Sequence, residues 1–157
     1  MRIFLTGADG FIGSHLTEKL IRSGFEVMAL CQYNSFNNIG WLQDSNIINN
    51  INLKIINGDI RDAKFIENHT KKSDIIVHLA SLIGIPYSYH APSSYVYTNI
   101  IGTLNILELA DKNNASLFHA STSEIYGDPL KHPQNEDYLG NVNNLGIRAC
   151  YDEGKRI

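Results

Sequence analysis

Along the first 120 residues, short apolar runs alternate with stretches in which apolar side chains recur every three or four positions. RIFLT, residues 2–6, reads as a strand, and residues 13–23 follow as a helix with Leu16, Leu20 and Ile21 on one face. EVMALC (26–31) predicts a second strand, residues 53–56 a third, DIIVHLA (74–80) a fully buried fourth and SLFHA (116–120) a fifth. Residues 62–70 predict a short helix with Asp62 near its cap. Residues 92–113 predict a long one with Val96, Ile100, Leu104 and Leu107 turned inward. Residues 32–52 are Asn-rich and weakly periodic, a long loop with one short helix near 39–43; residues 121–146 are a second long loop, and a last helix starts at 147. Such alternation makes a parallel sheet, and right-handed crossovers order it 3-2-1-4-5: an α/β, doubly wound fold.

Composition narrows this picture. The 157 residues are 43% hydrophobic and 18% charged, enough apolar content for the core of one domain and too much for a disordered chain. A net charge of −3 gives no electrostatic reason to expect nucleic acid or an anionic membrane as partner. No apolar run approaches the roughly 18–20 residues of a membrane span. Cys31 and Cys150 stand far apart without metal-ligand spacing, so no metal site and no disulfide framework is expected, and a reducing cytoplasm is the expected compartment.

The chemistry begins in the turn after the first strand. Gly7, Gly10 and Gly13 enclose Phe11 and Ile12 between that strand and the first helix. Gly7 permits the tight turn, Gly10 lets backbone N–H groups approach a pyrophosphate, and Gly13 lets the helix pack close to the strand. The helix N-terminus then offers its positive end to the phosphates. A dinucleotide is the expected ligand. The acidic residue that would meet a ribose 2′-hydroxyl after the second strand is absent from Cys31-Gln32-Tyr33-Asn34, leaving Asn34 or the backbone for that task. No Arg stands there to meet a 2′-phosphate, so NAD is expected, with NADP open. Near the other end, Tyr151 and Lys155 lie four apart and share a helix face. A phenol that titrates near 10 becomes a useful base when cations favour the phenolate. Thr122, Ser123 and Glu124 follow the fifth strand, at the sheet end where such folds bind ligands. A hydroxyl of Thr122 or Ser123 can bond the substrate oxygen that loses its proton to Tyr151, and Glu124 is a second acid/base, or else a solvated loop carboxylate.

The GxxGxxG turn, STSEIYG at 121–127 and RACYDEGKR at 148–156 together resemble an extended short-chain dehydrogenase/reductase of the NAD-dependent epimerase/dehydratase family, which acts on nucleotide sugars. The resemblance covers the whole chain and implies a Rossmann, NAD(P)-binding fold. It further implies that Asp59 and Ile60 clamp an adenine, with capping of the turn into the next helix as the plainer role for Asp59. Leu79, Ala80, Ser81 and Thr98 would line the cofactor, and Lys155 would hold its ribose, while His78 is expected as a buried, hydrogen-bonded side chain. Asn99 and Asn105 would reach the substrate or else hydrogen-bond between helices; Arg148 would meet an anionic sugar or else lie at the surface. Two branches of the family compete. Residues 121–156 look like UDP-glucuronate decarboxylases, whereas CQYNSFNNIGWL and HLASLIGIPYSYHAPSSYVYTNIIGTLN look more like 4,6-dehydratases. The family's usual homodimer is expected for a full-length member. The family's substrate domain lies beyond the catalytic helix, so residues 1–157 read as an incomplete Rossmann domain, truncated before that part. An inactive dinucleotide-binding fragment is the reading from another class.

Overall fold

Five parallel strands form one sheet in the computed structural model, in the order β3-β2-β1-β4-β5. The structure describes residues 1–70 and 72–157. The strands are β1 (Arg2–Thr6), β2 (Glu26–Gln32), β3 (Leu53–Gly58), β4 (Ile75–His78) and β5 (Ser116–His119). Register runs Phe4 against Met28 on one side and against Ile76 on the other. Two units divide the chain, Met1–Ala80 with Gly102–Ala120 and Ser81–Ile101 with Ser121–Ile157.

The first unit holds the sheet. Side chains alternate across it as the strand period requires. Ile3, Leu5, Val27, Ala29 and Cys31 pack on one face with Ile21, Leu16 and Leu20 of α1 (Phe11–Arg22). Phe4, Leu30, Ile56 and Ile76 pack on the other with Ile66 of α2 (Ala63–His69) and with α5 (Gly102–Asn113). Asp62 caps α2, accepting from the Phe65 N–H at 2.9 Å, as its place before the helix predicts. The Asn-rich loop carries one 3₁₀ turn, Gly40–Asp44.

The second unit is built from α3 (Ile85–His90), α4 (Pro92–Tyr95), a π-helical turn (Val96–Ile101), a 3₁₀ turn (Ser123–Tyr126) and α6 (Ala149–Arg156). Tyr95 is fully buried and its hydroxyl donates to the Gly84 carbonyl. Gly154 of α6 faces Asn99 and Ile100, and a Cβ there would already touch Asn99 at 3.6 Å.

The predicted long helix at 92–113 is realised as α4, the π turn and α5, and its inward face differs from the expected one. In α5 the buried residues are Gly102, Ile106, Leu109 and Ala110, while Leu104 and Leu107 are about half exposed. In the π turn Asn99 is buried, and Val96 stands exposed before it. The error has a physical source. The segment carries apolar side chains on two faces, and the packing face uses Gly, Ala and a hydrogen-bonded Asn that a hydrophobicity count passes over.

Replacing Ile106 and Leu107 separately by Ala measures this face directly. In urea unfolding, Ile106→Ala is expected to cost about 2–5 kcal/mol, the range for emptying a closed core position. Leu107→Ala should cost less than about 1 kcal/mol.

Candidate functional site

In the first unit the glycine turn is shaped by backbone contact. Gly7 has φ +71°, the left-handed region, and a Cβ on it would lie 2.8 Å from the Ala80 nitrogen. A Cβ on Gly13 would lie 2.0 Å from the Gly7 oxygen, so no larger residue fits. Both roles expected of these glycines rest on these contacts. Gly10 begins α1 as its N-cap, no acidic side chain stands in the helix's first turn, and Phe11 and Ile12 are exposed. The positive end of the helix is therefore left to an anion. Trp41 stands edge-on to Phe11 at 5.3 Å, and its backbone N–H donates to the Asp9 carbonyl.

Thr6, which the sequence reading passed over, organises the opposite wall of the turn. Its buried hydroxyl pairs with His78 Nδ1 at 2.7 Å and accepts from the Leu79 and Ala80 N–H groups at 3.2 and 3.1 Å. His78 Nε2 meets Thr103 Oγ1 at 3.1 Å, so His78 is the buried, hydrogen-bonded side chain expected of it. Cys31 is buried, and burial pushes its thiol up to about 12 with the Asp9 charge adding to the effect, which keeps it neutral.

Three expectations need correction here. Asn34 closes its own loop, donating to the Asn38 carbonyl at 2.6 Å and accepting from the Asn38 N–H at 3.0 Å, so its side chain is spent. Ile60 is buried beneath Gly102 in the core, so its side chain cannot also cover an adenine ring. Asn105 donates to the Ile60 carbonyl at 2.9 Å and thus supports the loop after β3, the inter-element role, in place of reaching substrate. Asp59 takes the plainer role expected of it and caps the turn into α2, its Oδ1 accepting from the Arg61 N–H at 2.9 Å. Arg61 donates to both of its carboxylate oxygens and holds the acid below the usual carboxylate range, and an adenine amino group would have to share them.

The second unit assembles the acid–base groups. Tyr151 is buried on α6, with Lys155 one turn on. The Tyr151 phenol is hydrogen-bonded to Thr122, whose hydroxyl also accepts from the Glu124 N–H at 3.3 Å. Of the two expected hydroxyls it is therefore Thr122 that meets Tyr151, while Ser123 is exposed. Burial raises the phenol above its ordinary value and is the largest influence on it. The Thr122 bond and the Arg148 charge pull it down, and the Glu124 and Asp152 charges push it up. Among the chain's own groups, desolvation of the buried phenolate outweighs the Arg148 attraction; the expected pull toward neutral pH included a cationic nicotinamide as well as Lys155. Burial also lowers the Lys155 ammonium.

Arg148 lies elsewhere than expected. It forks onto one oxygen of Glu124 at 2.9 and 2.7 Å, approaches Asp152 at 3.7 Å and stacks 4.6 Å over the Tyr151 ring. Its remaining nitrogen, Nη1, is buried. Asn99 is likewise withdrawn from substrate. It accepts from the Ser81 hydroxyl and the Leu82 N–H at 3.0 and 2.9 Å and donates to the Leu82 carbonyl at 3.0 Å. A buried amide with three bonds is a loop clamp, and Ser81 is held by it. Thr98 sits half-buried on the adjoining position. Among the described residues no group of three His, Cys, Asp or Glu could hold a metal ion, and no helix is long and apolar enough to cross a membrane.

A glycine turn of this geometry and a Tyr–Lys helix with a Thr-bonded phenol are features to compare with known proteins. The family model for GDP-mannose 4,6 dehydratase matches residues 4–157. The chain belongs to this family. UDP-glucuronic acid decarboxylase 1 of Danio rerio is 46% identical over 159 residues, covering 99% of this chain and 35% of the relative. UDP-glucuronic acid decarboxylase 6 of Arabidopsis thaliana is 43% identical over 161 residues, covering all of this chain and 44% of the relative. The chain thus spans less than half the length of these curated relatives. Among solved structures, the dTDP-glucose 4,6-dehydratase DesIV of Streptomyces venezuelae, with NAD bound, superposes with a TM-score of 0.83 at 28% identity, over 99% of this chain and 49% of that one. A UDP-glucose 4-epimerase of Thermotoga maritima, with UDP-glucose, gives 0.81 at 28% identity, over 99% of this chain and 48% of the other. Family membership and the doubly wound fold expected from the motifs are both upheld.

Ultraviolet titration of wild type minus Tyr151→Phe isolates this one phenol among the chain's eight. It is expected to ionise above the ordinary value of 10.0. Thr122→Val keeps the shape, removes the hydrogen bond to the phenolate and should move that ionisation further up by about half to one unit.

Proposed function

We propose that the chain is the cofactor-binding and acid–base part of an NAD-dependent lyase acting on a nucleotide sugar, with UDP-glucuronate as substrate and decarboxylation as the reaction. The observation that carries the reading is the buried Tyr151 phenol, hydrogen-bonded to Thr122 on a helix that also bears Lys155. The glycine turn fits NAD. At Gly7 and Gly13 the space a Cβ would need is taken by the chain's own backbone, which keeps the turn tight, and the first turn of α1 carries no acid to repel a pyrophosphate. When bound, NAD supplies the hydride acceptor and later returns the hydride.

Tyr151 takes the proton of the sugar C4 hydroxyl as the C4 hydride departs, leaving a 4-keto sugar. Thr122 holds the oxygen that loses the proton, and the Lys155 ammonium steadies the ribose. A C6 carboxylate is then β to a ketone. The C5–C6 bond breaks, CO₂ leaves, and the electron pair stays as an enolate that takes a proton from solvent water at C5. Tyr151 returns its proton to the C4 oxygen as hydride comes back, giving a UDP-pentose. The 40–46% identity to UDP-glucuronic acid decarboxylases supports this branch. So does Glu124, whose Oε2 is already taken by two N–H groups of Arg148, because dehydration would need that carboxylate free to remove the C5 proton. The dehydratase reading rests on the likeness to the dTDP-glucose enzyme. A reducing compartment suits the two free thiols, Cys31 and Cys150. A homodimer is part of the same reading, and the exposed Leu104 and Leu107 of α5 are surface that such an assembly would cover.

Incubation of the full gene product with NAD and either UDP-glucuronate or UDP-N-acetylglucosamine, followed by mass spectrometry, decides among these. Release of CO₂ with a UDP-pentose is the expected result, and Tyr151→Phe should cut its rate about 10²–10⁴-fold. A 4-keto-6-deoxy product would transfer the chain to the dehydratase branch, and no product from either would remove the enzymatic reading. Gln32 ends β2 exposed and uncharged, where an acid would reject a 2′-phosphate. Titration of Trp41 fluorescence should therefore show Gln32→Asp weakening NADP at least about tenfold while NAD binding is kept.

A further inference from the structure

Arg148 is better held than a surface arginine needs to be. Its side chain is 19% exposed, less than half the exposure of its partner Glu124. Two of its N–H groups converge on Glu124 Oε2 at 2.9 and 2.7 Å, its plane lies 4.6 Å over the Tyr151 ring, and Asp152 Oδ1 stands 3.7 Å away. The helix itself produces this geometry, since Arg148 precedes Tyr151 by three and Asp152 by four. Glu124 comes from the 3₁₀ turn after β5 and would otherwise be a solvated loop carboxylate. A planar fork can hold a carboxylate and stack on a ring at once, which an ammonium cannot.

We propose that Arg148 is a positioning residue that fixes the Glu124 carboxylate beside Asp152 and against the Tyr151 ring, so that the charge felt by the phenol is set by the Arg148 fork. The inference deepens the reading of Tyr151 as the proton-transfer group and rests on it for its meaning, though its test needs no turnover. The groups facing Tyr151 are Thr122 and Glu124 from the 3₁₀ turn, Arg148 and Asp152 from its own helix, and Tyr95, whose ring is 6.2 Å away and nearly perpendicular. Arg148 also acts downward on Tyr95, whose hydroxyl is held above its ordinary range by burial. Asp152 is pushed up, first by burial and then by the neighbouring Glu124.

The test is a double-mutant cycle read on Tyr151 ionisation, taken as the difference from the matching Tyr151→Phe protein. Glu124→Gln in wild type removes a negative neighbour and is expected to lower the Tyr151 ionisation by about half a unit or more. In an Arg148→Met background Glu124 is released, so the same change should move it by less than about a third of that shift. Arg148→Lys keeps the charge without the fork and should behave like Arg148→Met in the cycle. Equal effects of Glu124→Gln in all three backgrounds would show that Glu124 stands there unaided and would overturn the proposal. Should Arg148→Met not fold, Arg148→Lys alone decides. Because Tyr151 is read without substrate, this cycle can fail while the lyase reading stands, and loss of product in the incubations above leaves the cycle's outcome untouched.

Discussion

The structure rests on how closely backbone approaches backbone at the first strand–helix turn. Gly13 sits so near the Gly7 oxygen that a Cβ would fall 2.0 Å from it, and Gly7 lies so near Ala80 that a Cβ would meet its nitrogen at 2.8 Å. Three chain segments, the end of β1, the start of α1 and the residues after β4, therefore meet with no side chain between them. Thr6 closes the arrangement from inside, its hydroxyl taking two N–H groups of residues 79 and 80 and pairing with His78. Buried polar groups are tolerated there because each finds a partner.

The second unit solves a different problem, that of holding charged and polar groups near a buried phenol. Burial alone would push Tyr151 out of useful range, and it remains the dominant influence. The compensation comes from Thr122, which bonds the oxygen, and from Arg148, which lays a delocalised cation on the ring while neutralising Glu124. Asn99 does parallel work in the same unit by tying residues 81 and 82 to the π turn. A π turn widens the helix by one residue per turn and often appears at functional sites; here it carries the amide that three hydrogen bonds depend on.

Family membership brings these parts together as chemistry. In the proposed reading, the buried tyrosine with a lysine one turn on transfers the proton and the glycine turn seats the pyrophosphate. The relatives that match most of this chain include decarboxylases and a 4,6-dehydratase. In this chain the Glu124 carboxylate after β5 is engaged by Arg148.

The order of the five strands, the cap of α2, the glycine turn and the Tyr–Lys spacing were all legible in the sequence. Each depends on local rules, such as strand period, crossover handedness and the conformational freedom of glycine, that act over a few residues. The motif set likewise pointed to the family before any coordinates. What the sequence left undecided was the partner of each polar side chain. Asn34, Asn99, Asn105 and Arg148 were all readable as ligand-binding residues, and the fold spends each of them on the protein itself. The buried face of α5 was hidden for the same reason, since Gly102 and Ala110 pack there by being small. Apart from Asn34, which closes its own loop on Asn38, these hydrogen-bond partners lie far apart in the chain, as Asn99 joins Leu82 and Thr6 joins Ala80, and only the folded chain chooses them.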